Sequence, residues 1–143
     1  MADIARISPA EAHAKLSEGY VYVDVRSEQE FDAGHPAGAY NVPLMHMGAG
    51  GMVQNPDFLR VMNAAFGKDA KVVVGCKSGA RSLRAAQALV ADGFEQIIDQ
   101  RAGWDGTRDA FGQVKEPGWS RAGLPTAEAA AAGHAYADLQ AKA

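Results

Sequence analysis

Cysteine, the side chain best suited to covalent sulfur chemistry, occurs once in this 143-residue chain, as Cys76. It stands in Cys76-Lys77-Ser78-Gly79-Ala80-Arg81-Ser82, directly after Val72-Val73-Val74-Gly75. A short apolar run bounded by glycine predicts a buried strand. Leu83, Ala86, Leu89 and Val90, set among Arg84, Gln87 and Asp92, have the spacing of a helix. Cys76 therefore falls at the carboxyl end of a strand, on a short loop that feeds a helix amino terminus. Open parallel sheets bind ligands there, and unpaired backbone N–H groups attract anions. Gly79 allows the loop to curve with φ > 0, so that successive N–H groups converge on one point. Such a cradle, with Lys77 and Arg81 beside it, favours the anionic, nucleophilic form of a cysteine sulfur. A buried structural cysteine is the alternative that the residue type allows; the strand–loop–helix setting argues against it.

The neighbouring side chains have readable roles. Ser78 and Ser82 can give hydroxyl hydrogen bonds to a sulfur-bound group or to the loop. Arg81 could grip a substrate anion or brace the loop from beneath, and bracing is favoured because backbone N–H groups already serve the anion. Lys77 points from the loop and can steer anionic donors.

The elements that must hold this loop carry clear start and stop signals. Ser8-Pro9-Ala10-Glu11 is a capping box with proline at the first helical position, and Gly19 can end that helix. Tyr20 to Val25 reads as a strand. Ser27-Glu28-Gln29-Glu30 is a second capping box, closing at Gly34. Tyr40-Asn41-Val42 reads as a short strand ended by Pro43, and a glycine- and methionine-rich loop is expected from Met45 to Met52. Asn55-Pro56 opens a helix to about Ala65, with Gly67 as its stop. The helix after Cys76 ends at Gly93, and Ile97-Ile98 adds a strand. Gln100 to Pro125 is turn-rich, and alanine-rich Thr126 to Ala143 reads as helical, interrupted at Gly133. The alternation predicts an α/β fold, a central parallel sheet of about five strands with helices on both faces. It forms one domain, residues 1–126, with an Ala-rich tail, 127–143, whose surface buries little.

Composition narrows the function classes. A formal net charge of −3 argues against a nucleic-acid surface, and no apolar run reaches membrane-spanning length. Met1 to Arg6 lacks the basic and apolar regions of a signal peptide. One cysteine excludes an internal disulfide, and a cytoplasmic location is expected. His13, His46 and His134 show no ligand spacing with one another or with Cys76, so neither metal nor cofactor is expected.

The loop Cys76-Lys77-Ser78-Gly79-Ala80-Arg81-Ser82 resembles the active-site loop of the rhodanese-type sulfurtransferases. Val23-Asp24-Val25-Arg26, Glu30-Phe31 and Gly34-His35-Pro36-Ala37-Gly38-Ala39-Tyr40-Asn41-Val42-Pro43 resemble that family's amino-terminal signature. Trp119 to Thr126 resembles its usual ending. The likeness covers about residues 5 to 126 and is closest to small single-domain members, including plant-type ones that share the Met45–Leu59 stretch. It implies a double displacement, in which the Cys76 thiolate takes the outer sulfur of thiosulfate as a persulfide. A nucleophile, cyanide or a thiol, small or on a protein, then removes that sulfur. Without a second cysteine, the persulfide must wait for an outside acceptor.

Related phosphatases and arsenate reductases place five residues between cysteine and arginine. Cys76 and Arg81 are separated by four, a tighter ring suited to a single sulfur. A mercaptopyruvate preference is disfavoured, because its usual loop resembles Cys-Gly-Ser-Gly-Val-Thr. A sulfur carrier and a non-catalytic regulatory module are the alternatives the likeness leaves open. It further implies that Asp24 and Arg26 belong to a buried polar network, with Arg26 pairing Glu30, and that His35 locks the fold by a hydrogen bond. The sequence departs from the family at Ala102-Gly103, where two glycines usually precede the aromatic, here Trp104, and at Pro36. The Asp105–Gly118 stretch is also longer than in compact members and is expected to form a rim over Cys76.

Overall fold

The computed structural model describes residues 4–143. Met1 to Asp3, the start of the stretch read for targeting signals, lie outside the described residues. Strand β1 (Ala5–Ile7) leads into α1 (Pro9–Leu16). There Ser8 Oγ accepts the Glu11 N–H at 3.1 Å and Glu11 Oε1 accepts the Ser8 N–H at 3.0 Å. Strand β2 (Val21–Asp24) is followed by α2 (Glu28–Asp32), opened by the same reciprocal arrangement between Ser27 and Glu30. Both capping boxes thus close as their sequences require.

Short strands β3 (His35–Pro36) and β4 (Tyr40–Asn41), then β5 (Met45–Gly48) and β6 (Gly51–Gln54), precede α3 (Phe58–Ala65). Strand β7 (Lys71–Gly75), α4 (Ala80–Ala91) and β8 (Gln96–Gln100) frame the cysteine loop. Strands β9 (Gly106–Arg108) and β10 (Val114–Pro117), a 3-10 turn (Trp119–Arg121), β11 (Thr126–Ala127) and α5 (Tyr136–Ala141) complete the chain.

The central sheet has the order β1-β8-β7-β2-β4, and every pairing in it is parallel. Strand β7 lies in the middle, so both of its faces are covered, which is why it reads as an unbroken valine run. Val72 and Val74 pack with Val61, Met62, Ala86 and Leu89 on the side of α3 and α4. Val73 and Tyr22 pack with Ala12, Phe31 and Trp119 on the side of α1 and α2. The expected fold class holds: five parallel strands with helices on both faces.

The structure corrects the reading in three places. Ala5–Ile7, which carried no strand signal, pairs at the sheet edge with Ile98–Gln100. The stretch expected as a loop from Met45 to Met52 is an antiparallel hairpin, with Met45 opposite Gln54 and Gly48 opposite Gly51. Strand β6 is exposed throughout, so it carries no inward–outward alternation to betray it. The alanine-rich end is helical only over Tyr136–Ala141. Before that, Thr126 and Ala127 pair with Pro36 and His35, and Gly133 takes φ +81°, a backbone turn that halts a helix. Tyr136 and Leu139 are buried in the main core, and Asn55 Nδ2 donates to Tyr136 Oη at 3.0 Å.

Candidate active site

Central strand β7 ends at Gly75, and a Cβ on that glycine would overlap the Tyr22 ring and hydroxyl. The next residue, Cys76, is 3% exposed. Its Sγ accepts the Gly79 N–H at 3.1 Å and lies 3.4 Å from Ser82 Oγ. Gly79 has φ +104°, the left-handed turn that folds the loop back on the sulfur, and α4 begins at the next residue. The carbonyls of Cys76 and Lys77 accept the N–H groups of Trp104 and Asp105 at 2.8 and 2.9 Å. In a trans peptide the N–H opposes the C=O, so the Lys77 and Ser78 N–H groups face away from the Trp104–Asp105 turn.

That turn is fixed by Gln100. Its buried Oε1 accepts the N–H groups of Ala102 and Gly103 at 2.8 and 2.9 Å, while Nε2 donates to Gly103 O and Tyr22 Oη. Gly103 has φ +66°, and a Cβ there would sit 2.5 Å from the Lys77 carbonyl and 2.6 Å from the Cys76 oxygen. One glycine of the Ala102-Gly103 pair is thus obligatory.

The predicted site residues divide into two groups. Cys76, Gly79 and Ser82 converge on the sulfur, with Ala80 and Arg81 opening the helix behind it. Lys77 and Ser78 are exposed and, with Asp105, Gly106 and Arg108, line a shallow cleft of about 320 Å³ beside the loop. Of the Asp105–Gly118 stretch, Asp105, Gly106 and Arg108 thus wall a cleft beside the loop that Cys76 does not line, and Glu116 is tied to Arg101 by a bidentate pair at 2.9 Å. Lys77 Nζ is 3.8 Å from Asp105, a loose pair that leaves its charge facing water.

Arg81 commits its guanidinium to Glu30, giving two hydrogen bonds at 2.7 and 3.0 Å. Burial disfavours the Glu30 charge, but bonds from Arg81 and Ser27 outweigh it and hold this carboxyl at about 2. The same bonds push Arg81 upward. The expected Arg26–Glu30 pair does not form. Arg26 instead grips Asp24 through Nε and a terminal nitrogen, at 2.7–3.1 Å, and donates to Gly34 O at 2.6 Å. Asp24 lies two residues away at the strand end, and the capping box has already committed Glu30 toward α4. Trp104 covers this pair, its ring 5.1 Å from the Arg26 guanidinium carbon. His35 is fully buried, stacks on Phe31, and donates Nδ1–H to Phe31 O at 2.8 Å.

Sequence reasoning missed Arg6, Asp99 and Gln100. Asp99 is fully buried at the end of β8, and Arg6 Nε donates to its Oδ2 at 2.6 Å. Another nitrogen of Arg6 donates to Gly79 O at 3.1 Å. The available signal was a polar pair, Asp99-Gln100, directly following Ile97-Ile98 where a ligand-facing strand end was expected. Among the described residues no group of three or more His, Cys, Asp or Glu side chains could hold a metal, and no helix is long and apolar enough to cross a membrane.

Comparison with known proteins agrees with this geometry. Residues 8–110 match the family described as the rhodanese-like domain. The chain is 41% identical over 120 residues to the chloroplastic thiosulfate sulfurtransferase 16 of Arabidopsis thaliana, covering 84% of this chain and 90% of that one. It is 32% identical over 111 residues to the thiosulfate sulfurtransferase GlpE of Pseudomonas fluorescens, covering 78% and 91%. The crystal structure of Rv0390 from M. tuberculosis superposes with a TM-score of 0.75 at 28% identity, covering 90% of this chain and 100% of that one.

Proposed function

The chain belongs to the rhodanese-like domain family, and from that premise we propose that it is a thiosulfate-type sulfurtransferase working through a persulfide on Cys76. The Cys76 sulfur, as its anion, attacks the outer sulfur of thiosulfate. The S–S bond of the donor breaks, its electron pair leaves with sulfite, and Cys76 keeps a terminal S⁻. An acceptor, cyanide or a thiolate, then attacks that terminal sulfur. It departs as thiocyanate or a new persulfide, and the Cys76 sulfur returns as an anion. Charge balances in both steps.

The observation that carries the reading is the sulfur's position: Cys76 Sγ accepts the Gly79 N–H at 3.1 Å inside a loop with four residues between cysteine and arginine. Donors fixed before the reaction stabilise anionic sulfur without reorganising. Arg81, committed to Glu30, braces this loop from behind, while Lys77 at the cleft raises the local concentration of anionic donors. The names of the two sulfurtransferase relatives support thiosulfate as donor. A compartment that keeps thiols reduced, the cytosol in the first instance, suits the chemistry.

Thiosulfate and cyanide mixed with the protein should yield thiocyanate, and thiosulfate alone should add the mass of one sulfur atom to Cys76. Cys76→Ser should do neither. Thiocyanate formation by that variant would overturn the mechanism, and thiosulfate binding without sulfur transfer would point to the non-catalytic module.

A further inference from the structure

Behind the cysteine loop lies a buried line of polar groups that the double displacement leaves unused. Ser82 is fully buried on the first turn of α4, its Oγ 3.4 Å from Cys76 Sγ and 3.3 Å from Gly79 O. Beyond it is the Asp99 carboxylate, fully buried on β8 opposite Val74 of β7. Arg6 occupies Oδ2 at 2.6 Å, whereas Oδ1 has no hydrogen-bond partner among the described residues. An unpartnered oxygen on a buried carboxylate is costly and calls for an explanation. Burial raises the proton affinity of Asp99 above the ordinary carboxylate range, against the opposing influence of the nearby Ser82 hydroxyl and the Arg6 guanidinium, while the Ser82 hydroxyl itself donates to Gly79 O.

We propose that Asp99, acting through Ser82, receives the proton that leaves the Cys76 thiol. The proposal rests on Cys76 being the nucleophile of the preceding reading. The S–H bond of Cys76 breaks as its proton passes to Ser82 Oγ. Ser82's own proton, turned from Gly79 O, forms a new O–H bond at Asp99 Oδ1. The products are a sulfur anion and a neutral carboxyl, so no net charge enters the interior. Afterwards Ser82 donates to the sulfur anion, and the new O–H of Asp99 donates to Ser82. Oδ1, without a partner among the described residues, is the landing site. Arg6 sets the position of both ends, since it bonds Asp99 Oδ2 and the Gly79 carbonyl of the loop. Asp99 and Arg6 are positioning residues in this scheme, because neither touches the reacting sulfur.

Other charged groups face this line from the packed elements. They are Arg81 on α4 with Glu30 of α2 behind it, and Tyr22 of β2 with Asp24 and Arg26 at its strand end. Glu30 is held at about 2, and Arg81 is pushed upward by its bonds to Glu30. Burial pushes Tyr22 upward as well, so none of these three changes charge between about pH 5 and 9. Lys77 and Asp105 stand outside, at the cleft.

The test is the pH profile of Cys76 alkylation by iodoacetamide, an uncharged reagent that reads the sulfur anion without sulfur transfer. Asp99→Asn keeps shape and removes the proton acceptor. Its alkylation should fall on the order of a hundredfold near neutral pH, the low end of what a lost proton acceptor costs, and rejoin the parent rate at high pH. Ser82→Ala should show the same profile, Ser82→Thr should restore it, and the double variant should be no slower than Ser82→Ala. An Asp99→Asn profile that tracks the parent, or losses that multiply in the double variant, would overturn the relay. Should Asp99→Asn not fold, the Ser82→Ala and Ser82→Thr comparison decides by itself. Failure of thiosulfate to load sulfur onto the parent protein would sink the enzyme reading and leave the alkylation profiles to judge the relay.

Discussion

Replacing Arg81 by alanine separates bracing from substrate binding. The Arg81 and Glu30 side chains are 15% and 17% exposed and joined by two hydrogen bonds across the α2–α4 contact. Breaking a fully buried pair costs about 3–5 kcal/mol, whereas an exposed pair is worth about 0–1 kcal/mol. This one lies between, at about 2 kcal/mol. The carboxylate gives an independent figure. Glu30 falls from 4.5 to about 2, which at 1.36 kcal/mol per pH unit is at most about 3.4 kcal/mol. Water at the open side of the pair screens roughly half of that. Part of the remainder belongs to the Ser27 bonds, which Arg81→Ala leaves in place, so this figure bounds the pair from above; about 2 kcal/mol is a loss of about 6 °C in Tm for a chain of this size.

The pH dependence has a definite sign. The folded-state value of Glu30 lies below the unfolded one, so its contribution is complete above about pH 4.5 and is lost as pH falls toward 2. The gap between parent and Arg81→Ala, measured by urea unfolding, should therefore narrow by about 1 kcal/mol between pH 7 and pH 3. A double-mutant cycle with Glu30→Gln should return a coupling of about 1–2 kcal/mol at pH 7. In the thiosulfate assay kcat should fall while KM changes less than about threefold, because the guanidinium faces Glu30 and not the cleft. Unchanged stability with a tenfold rise in KM would refute the brace and make Arg81 a substrate ligand.

Gly103→Ala should cost at least about 3 kcal/mol, since it demands φ +66° from a side-chain residue and drives Cβ into the Lys77 carbonyl; thermal unfolding and thiocyanate formation would both register it. Tyr136→Ala should cost about 3 kcal/mol by urea unfolding, and Tyr136→Phe about 1 kcal/mol through the lost Asn55 bond. Values near zero for both would mean the carboxyl-terminal segment is only loosely attached. Lys77→Ala should lower kcat/KM for thiosulfate about threefold at low ionic strength, with the difference fading as salt is added. A salt-independent loss would instead indicate direct contact with the donor.

The parts of this molecule legible in the sequence are those whose signals are local. The strand before Cys76, the glycine that turns the loop and the helix after it lie within two dozen residues, and each capping box spans four. The polar supports are distant instead. Arg81 meets Glu30 across 51 positions and Arg6 meets Asp99 across 93. The second pair exists only because β1 aligns Arg6 with Asp99 in a parallel register, and a three-residue edge strand carries too short a pattern to reveal that. The family resemblance implies that Arg26 pairs with Glu30. The structure pairs it with Asp24 because Glu30, already committed by the Ser27 capping box, points its second oxygen toward α4.

This division has a physical basis that bears on the chemistry. The loop sequence supplies the sulfur and the backbone donors, but the direction of those donors is set elsewhere. The Trp104–Asp105 turn captures the loop carbonyls, and Gln100, fully buried, shapes the approach to that turn through three hydrogen bonds to Ala102 and Gly103 and is itself anchored on Tyr22 Oη. A loop with the same seven residues but no such turn would be free to rotate its peptides and aim carbonyl oxygens at the sulfur. That would set against an anion there the carbonyl dipoles that the turn now holds away. The reactivity proposed for Cys76 is therefore a property of β7, β8 and the turn after β8 together, with Gly103 as the point where they come closest.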